Sequence, residues 1–304
     1  MKTYTEALPL TRSRWLDFVE LTKPRIGVMV LFTVAIGALA ANPATFDLVQ
    51  LVHALVGVAL VAGGASVLNQ WLERYTDAAM RRTENRPIPA GRVSASEAVV
   101  FGVTLSCLGL VYLAVIVIHP LATVLSAVTL VSYAFIYTPL KSRSTLNTLI
   151  GAVPGALPPV IGWSAMTGTI DRGAWVLFLI VFFWQIPHFL AIAWMYRDDY
   201  ARAGLKMLPT YDADGVMTSR QMTLYCVALL PISLLPVMWG DASIMYGFGA
   251  FGLGVFFLRS AWCFTMMPND ANARKVLYVS LVYLPSVLGL LLAERLLRYW
   301  ARGV

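Results

Sequence analysis

About nine runs of roughly 20 mainly apolar residues divide the chain, and a helix of that length crosses the roughly 30 Å hydrocarbon core of a bilayer. The runs fall at 26–42, 49–71, 95–116, 120–138, 147–166, 173–195, 220–239, 243–263 and 276–296. Lipid offers no partner to a backbone N–H or C=O, so segments this long must satisfy themselves as helices. With 59% hydrophobic and 13% charged residues, a soluble globular domain is excluded. The expected fold is an all-α membrane protein, about nine transmembrane helices in one bundle, with short helices in its cytoplasmic loops. The first run is short, the fifth is broken by Pro154, Pro158 and Pro159, and the sixth carries Pro187. Such breaks are tolerated where the freed carbonyls face protein or a cavity.

The 23 Lys and Arg residues set an orientation. With the N-terminus cytoplasmic, all but Arg172, Arg295, Arg298 and Arg302 fall on that side, and the tail, with Arg295, Arg298 and Arg302 outside, is the one blemish in the pattern. A net charge of +7 invites a nucleic-acid partner, but the basic residues are scattered through short loops and serve topology better. The outer connections, such as Ile118 to Pro120 and Trp239 to Ala242, are minimal, and Gly240-Asp241-Ala242 reads as a tight turn. The inner ones, 72–94, 139–146 and 196–219, are long and crowded with Arg, Lys, Asp and Tyr, so chemistry is expected at the cytoplasmic mouth. A single membrane domain, 26–296, is preceded by a cytoplasmic segment, 1–25, with no signal-peptide layout, and followed by a tail, 297–304. Residues 14–22 have the spacing of an interfacial helix, for which a plain entry helix is the simpler expectation. Cys107, Cys226 and Cys263 lie far apart in apolar runs and read as small core residues.

Where the second run ends stand Asn69, Glu73 and Asp77. At about 100° per residue, positions four apart drift only roughly 40°, so the three share one helix face. A second acidic cluster, Asp198 and Asp199, ends the sixth run. Ionisable groups beside hydrocarbon are expensive and usually serve a task. About four carboxylates at one mouth repel each other and, partly buried, should have raised pKa values unless a cation joins them. Mg²⁺ is the natural one, since it takes oxygen ligands and bridges carboxylates to phosphates. Around them stand Arg82, Arg86, Lys141, Arg143, Arg197 and Lys206, suited to the remaining phosphate oxygens, although each taken singly also fits a topology anchor. A charged head at such a mouth and a tail in an interior of Trp, Phe, Met and Leu describe a polyprenyl diphosphate. Its allylic C–O bond can ionise, and burial keeps water from the cation until an electron-rich acceptor is alkylated.

Asn69-x-x-x-Glu73-x-x-x-Asp77, and Arg197-Asp198-Asp199 with Gly204, resemble the two signatures of the UbiA superfamily of intramembrane aromatic prenyltransferases. Further stretches are similar to its heme-farnesylating branch. These are Leu21 to Arg25, Asp77 to Thr83 with Arg86-Pro87, Tyr137 to Arg143, Gly151 to Gly162, Trp184 to Phe189, and Tyr200 to Pro209. Departures from the wider pattern are Glu73 in place of Asp, and Tyr196 and Tyr200 where outer Asp residues are usual. The resemblance implies a UbiA-type bundle in a bacterial inner membrane, transferring farnesyl from farnesyl diphosphate to a vinyl group of heme b with addition of water, to give heme O. It implies catalytic roles for Asn69, Glu73, Asp77, Asp198 and Asp199, with Glu73, Asp77, Asp198 and Asp199 holding Mg²⁺. Arg82, Arg86, Tyr137, Lys141, Arg143, Tyr200 and Lys206 would bind substrate, as diphosphate or heme propionates. His188, mid-span beside Pro187, would ligate heme iron, orient the macrocycle or act as base toward the adding water, whereas His53 and His119 read as core histidines. Heme A synthase and terminal oxidase assembly are the implied partners. Prenylation of a quinone precursor is the nearer alternative and a secondary transporter the more distant one, with no inverted repeat to support it.

Overall fold

The computed structural model describes residues 13–41 and 46–301, the side chains of 299–301 excepted. The outer parts of the N-terminal segment and of the tail lie outside the described residues. The elements are α1 (Arg14–Leu21), α2 (Pro24–Ala40), α3 (Leu48–Leu72), α4 (Arg74–Ala78), α5 (Ala95–Ile116), α6 (Pro120–Val131) and α7 (Thr138–Leu140), followed by α8 (Asn147–Ala156), α9 (Pro158–Thr167), α10 (Arg172–Met195), α11 (Arg197–Arg202), α12 (Val216–Met238), α13 (Ile244–Met266) and α14 (Asp270–Ala301). No strand occurs among the described residues. Eight helical stretches among them are long and apolar enough to span a bilayer, α6 running through α7 and α8 through α9. A ninth is α1 with α2, bent by 43°. The expected all-α membrane fold is what forms, with short α4 and α11 in the loops that carry the acidic motifs.

Caps fix where the long helices start. Asp47 accepts from Val49 and Gln50 backbone N–H groups at 2.8 and 3.1 Å, and Ser94 with Glu97 forms a reciprocal capping box on α5. Near the Pro154 to Pro159 break, α8 is tied to α10: Gln185 Nε2 donates to the Ala152 carbonyl at 2.8 Å. Between α6 and α7 the backbone widens into a π-turn, Ser132–Tyr137, ahead of Pro139, which lacks an N–H. The Thr138 hydroxyl takes up the Tyr133 carbonyl there at 2.8 Å.

The two largest apolar cores among the described residues divide the bundle. One unites α2, α3, α5, α6 and α9, the other joins α8 to α10 and α12 to α14 with Ile36 and Ala40 of α2, and Phe178 on α10 packs against both. Helix α14 returns to touch α2. Small residues set the closest approach, as lipid gives helices no hydrophobic drive to associate. Gly37 on α2 lies against the Pro159 carbonyl of α9, and Gly162 on α9 lies against the Val34 carbonyl of α2; a methyl at either would overlap backbone. Gly162→Ala should therefore cost about 3 kcal/mol. Gly252→Ala, at a position with open space around it, should change stability by less than about 1 kcal/mol. Thermal unfolding of the two variants in detergent checks the difference, and equal midpoints would contradict it.

Several expectations change in detail. Cys226 is buried, but Cys107 and Cys263 are exposed on the bundle surface and are not core residues. The far-end arginines belong to local pairs: Arg172 with Asp241 at 2.8 Å, and Arg298 with Glu294 at 2.7 Å and with the Gly240 carbonyl at 2.6 Å. The charges of Arg172 and Arg298 are thus matched where they sit, whereas Arg295 keeps a buried Nε without a hydrogen-bond partner and Arg302 lies outside the described residues. Gly240, at φ 73°, forms the expected tight turn between α12 and α13. Helix α1 leads into α2 and is tied to the bundle. Trp15 and Val19 are exposed on one side, while the buried Asp17 receives Arg92 Nε at 2.8 Å and ties α1 to the loop after α4.

Candidate active site at the ends of α3 and α10

Helix α3 ends at Leu72 and α4 begins at Arg74, yet the amide of Glu73 donates to the Asn69 carbonyl at 2.9 Å and that of Asp77 to the Glu73 carbonyl at 2.7 Å. The four-residue spacing thus keeps its helical register across the break, and the Asn69, Glu73, Asp77 stripe survives. All three side chains are buried. Buried polar groups must be paired, and each of these is. Asn69 accepts from Lys23 Nζ at 2.7 Å and donates to Thr138 Oγ1 at 3.0 Å. Lys141 Nζ donates to Glu73 Oε1 at 2.5 Å, and Arg86 to Asp77 Oδ2 at 2.6 Å. Asp77 Oδ1 is buried without a partner.

The stripe is therefore an alternation of acids with bases and not a set of like charges. Burial pushes Glu73 upward, but Lys141 and then Lys23 outweigh it and hold the carboxyl below its usual range, against the expectation of a raised value. Asp77 does follow that expectation: burial raises it, and Arg86 only partly opposes. Burial pulls Lys141 down, yet Glu73 more than compensates and keeps it protonated above its usual value. Lys23 is the exception. Burial first, and Arg86 second, lower it to about 7. It is also the one non-glycine residue among those described at positive φ, 51°, at the bend between α1 and α2. Unfolded, this lysine keeps its proton to its usual 10.5, whereas folded it releases it near 7. The unfolded state then binds more protons between those values, so stability of the ligand-free protein should climb as pH rises from about 7 to about 10. Lys23→Met should flatten that slope, as read from denaturant midpoints across the range; an unchanged slope would count against the assignment.

The second cluster comes to the same end of the bundle through tyrosines. Tyr200 on α11 receives Arg82 NH2 at 2.7 Å, and the Arg82 guanidinium lies over the rings of Tyr196 and Tyr200 at 4.9 and 5.0 Å. Met80, Tyr200, Leu205 and Met207 share one buried apolar cluster beneath this clasp. The Lys206 amide donates to the Lys141 carbonyl at 2.7 Å, and Asn147 Nδ2 to the Lys206 carbonyl at 2.7 Å, so the loops after α7 and α11 are sewn together. Lys141 Nζ also lies 4.4 Å from the Tyr137 ring centroid. Asp199 pairs with Arg202, Asp198 is exposed, and Arg197 reaches Asp270 at 2.8 Å. Arg143 and Lys206 are exposed at the rim. His188 stands apart on α10, with Nδ1 2.8 Å from Ser280 Oγ.

Among the described residues no three His, Cys, Asp or Glu side chains converge as a protein-only metal cage. That suits Mg²⁺, which typically binds through one or two carboxylates and completes its shell with water and substrate phosphate. The orphaned Asp77 Oδ1 is an acceptor a cation would satisfy. Three residues of this site were not singled out from the sequence. Lys23 looked like part of the basic count, although its place before Pro24 marked a bend. Thr138 and Thr83, whose hydroxyl donates to the Asp77 carbonyl at 2.8 Å, lie within the family-like stretches Tyr137 to Arg143 and Asp77 to Thr83, but only the fold shows what their hydroxyls hold.

Residues 30–282 match the model of the UbiA prenyltransferase family. A protein named protoheme IX farnesyltransferase from Solibacter usitatus (strain Ellin6076) is 46% identical over 288 residues, 92% of this chain and 98% of that one. Among solved structures, a digeranylgeranylglyceryl phosphate synthase superposes with TM-score 0.78 at 19% identity, covering 93% of this chain and 98% of the other. A UbiA homolog from Archaeoglobus fulgidus bound to DMAPP and Mg²⁺ gives TM-score 0.63 at 12% identity, with 90% and 99% covered.

Proposed function

The chain belongs to the UbiA prenyltransferase family, and from that membership we propose that it transfers the farnesyl group of farnesyl diphosphate to a vinyl group of heme b, with addition of water, giving heme O and diphosphate. The observation that carries this is the buried stripe of alternating acids and bases at one end of the bundle, in a chain matched by the heme-farnesylating relative over 92% of its length.

Glu73 and Asp77, with Asp198 and Asp199, would hold Mg²⁺, which when bound neutralises charge on the departing diphosphate. The chain's own residues account for the rest. Lys141 and Arg86, paired with carboxylates when substrate is absent, become donors to diphosphate oxygens once those carboxylates have another cation, and Arg82 adds a planar fork beside them. Lys23 and Asn69 fix the floor of this arrangement. The C1–O bond of the farnesyl group breaks with its electron pair leaving on diphosphate, and the allylic cation accepts the π electrons of the heme vinyl group. Water then adds to the resulting cation and loses a proton, leaving the hydroxyethylfarnesyl substituent. Tyr137, held over Lys141 and backed by Gly151, offers a ring face near the charge. The apolar walls keep water scarce until the carbon–carbon bond has formed.

Eight to nine apolar helices make the chain an integral membrane protein. We read the mouth as facing the cytoplasm of a bacterial inner membrane. The basic inner loops support this, as does the pairing of two far-end arginines, Arg172 and Arg298, with local carboxylates. A heme A synthase and terminal oxidase assembly would take up the product. Protein in nanodiscs, given farnesyl diphosphate, heme b and Mg²⁺, should yield a later-eluting heme with the mass of the hydroxyethylfarnesyl derivative, and chelation should stop it. Alkylation of a hydroxybenzoate with no new heme would overturn the acceptor assignment.

A further inference from the structure

His188 and Ser280 form a polar node between α10 and α14, within the span. The Ser280 hydroxyl owns one proton and donates it to the Leu277 carbonyl at 2.6 Å. Its oxygen lies 2.8 Å from His188 Nδ1 and, with its proton committed, can only accept. The hydrogen of this contact therefore belongs to Nδ1, and the neutral imidazole carries its lone pair on Nε2. That nitrogen has no hydrogen-bond partner among the described residues.

The ring is also fixed in its plane. Trp184 stacks on it at 4.8 Å between centroids and 27° between planes, and Phe189 meets it edge-on at 5.4 Å. Trp184 Nε1 in turn donates to the Ser280 carbonyl at 2.7 Å, so one buried serine holds the indole with its backbone and the imidazole with its hydroxyl. An imidazole whose one nitrogen is locked as donor while the other presents a free lone pair has the form of a metal-bound histidine. A base toward water would finish as an imidazolium, and none of Ser280, Trp184 or Phe189 offers a negative charge to balance it. A ligand stays neutral.

Resting on heme b as the acceptor, we propose that His188 Nε2 is an axial ligand to the heme iron and that Ser280 is the positioning residue that sets its tautomer. Bound this way, the macrocycle is oriented by its metal while the vinyl group to be alkylated stays open to attack.

The test is heme binding without farnesyl diphosphate, in nanodiscs, with metal-free protoporphyrin IX as the control that has no iron to ligate. Wild type titrated with reduced heme b should show the visible bands of a nitrogen-ligated ferrous heme. His188→Gly should lose them, and added imidazole should restore them. Ser280→Ala should weaken heme b binding roughly 10–100-fold, the usual effect of removing a partner that orients a ligating histidine. Protoporphyrin IX affinity should be unchanged in both variants. A wild type that farnesylates heme b while His188→Gly keeps the same bands would overturn the ligand assignment and leave the function standing. Equal weakening toward heme b and protoporphyrin IX would do the same, as it would show a packing role. A wild type that neither binds nor farnesylates heme b would overturn the function itself, and the ligand assignment with it.

Discussion

Asp77→Asn should lower turnover by roughly 10²–10³-fold, about 3–4 kcal/mol of transition-state stabilisation, while the protein stays folded. The two halves of that expectation have separate causes. Asp77 is essentially buried, with one oxygen on Arg86 and the other without a partner. Asn can turn its own oxygen to Arg86, so the contact that organises the loop remains, and the partly exposed guanidinium retains access to water. What disappears is the anionic oxygen that a divalent ion needs. Burial already holds Asp77 above the usual carboxylate range, so neutralising it removes a charge the fold only tolerates. Unfolding midpoints within about 1 kcal/mol of wild type, alongside the loss of heme O formation and of the Mg²⁺ dependence of farnesyl diphosphate binding, would agree. Near-normal turnover would remove Asp77 from the metal site.

Glu73→Gln should differ, although by sequence the two acids look equivalent. The Glu73 side chain is 10% exposed and its partner Lys141 15%, so neutralising Glu73 strands a buried cation that Glu73 itself keeps protonated. Removing one member of such a pair typically costs about 3–5 kcal/mol. Turnover should be lost here together with stability, which a single variant cannot disentangle. Glu73→Gln combined with Lys141→Met resolves it, because the stranded charge goes too. The double variant should regain most of the lost stability and none of the lost activity. A double variant no more stable than Glu73→Gln alone would mean that the pair contributes little to the fold.

This difference marks where the sequence stops being informative. The spans were legible because a bilayer forces each apolar run to satisfy its own backbone, and their limits need no knowledge of their neighbours. The stripe on α3 was legible too, since a four-residue spacing keeps its face even across the break at Glu73. Charge state was not. Lys141 is 68 residues from Glu73, and a count of charges shows four acids near one mouth without showing that the stripe's two acids are already matched to particular bases. The same limit hid Lys23, which in the chain is one cation among many and in the fold reaches Asn69. Asp198 and Asp199 were expected to face the first motif directly. Beside them the loops are joined through Arg82, Tyr196 and Tyr200, the tyrosines standing where the wider family has acids.

At Lys23 the main chain turns through a left-handed residue out of α1, whose exposed Trp15 and Val19 suit the layer of lipid headgroups, and the amine of the same residue reaches Asn69. One residue thus sets both the direction in which α1 leaves the bundle and the anchoring of the amide that begins the α3 stripe, so a substitution there disturbs backbone and side-chain network together.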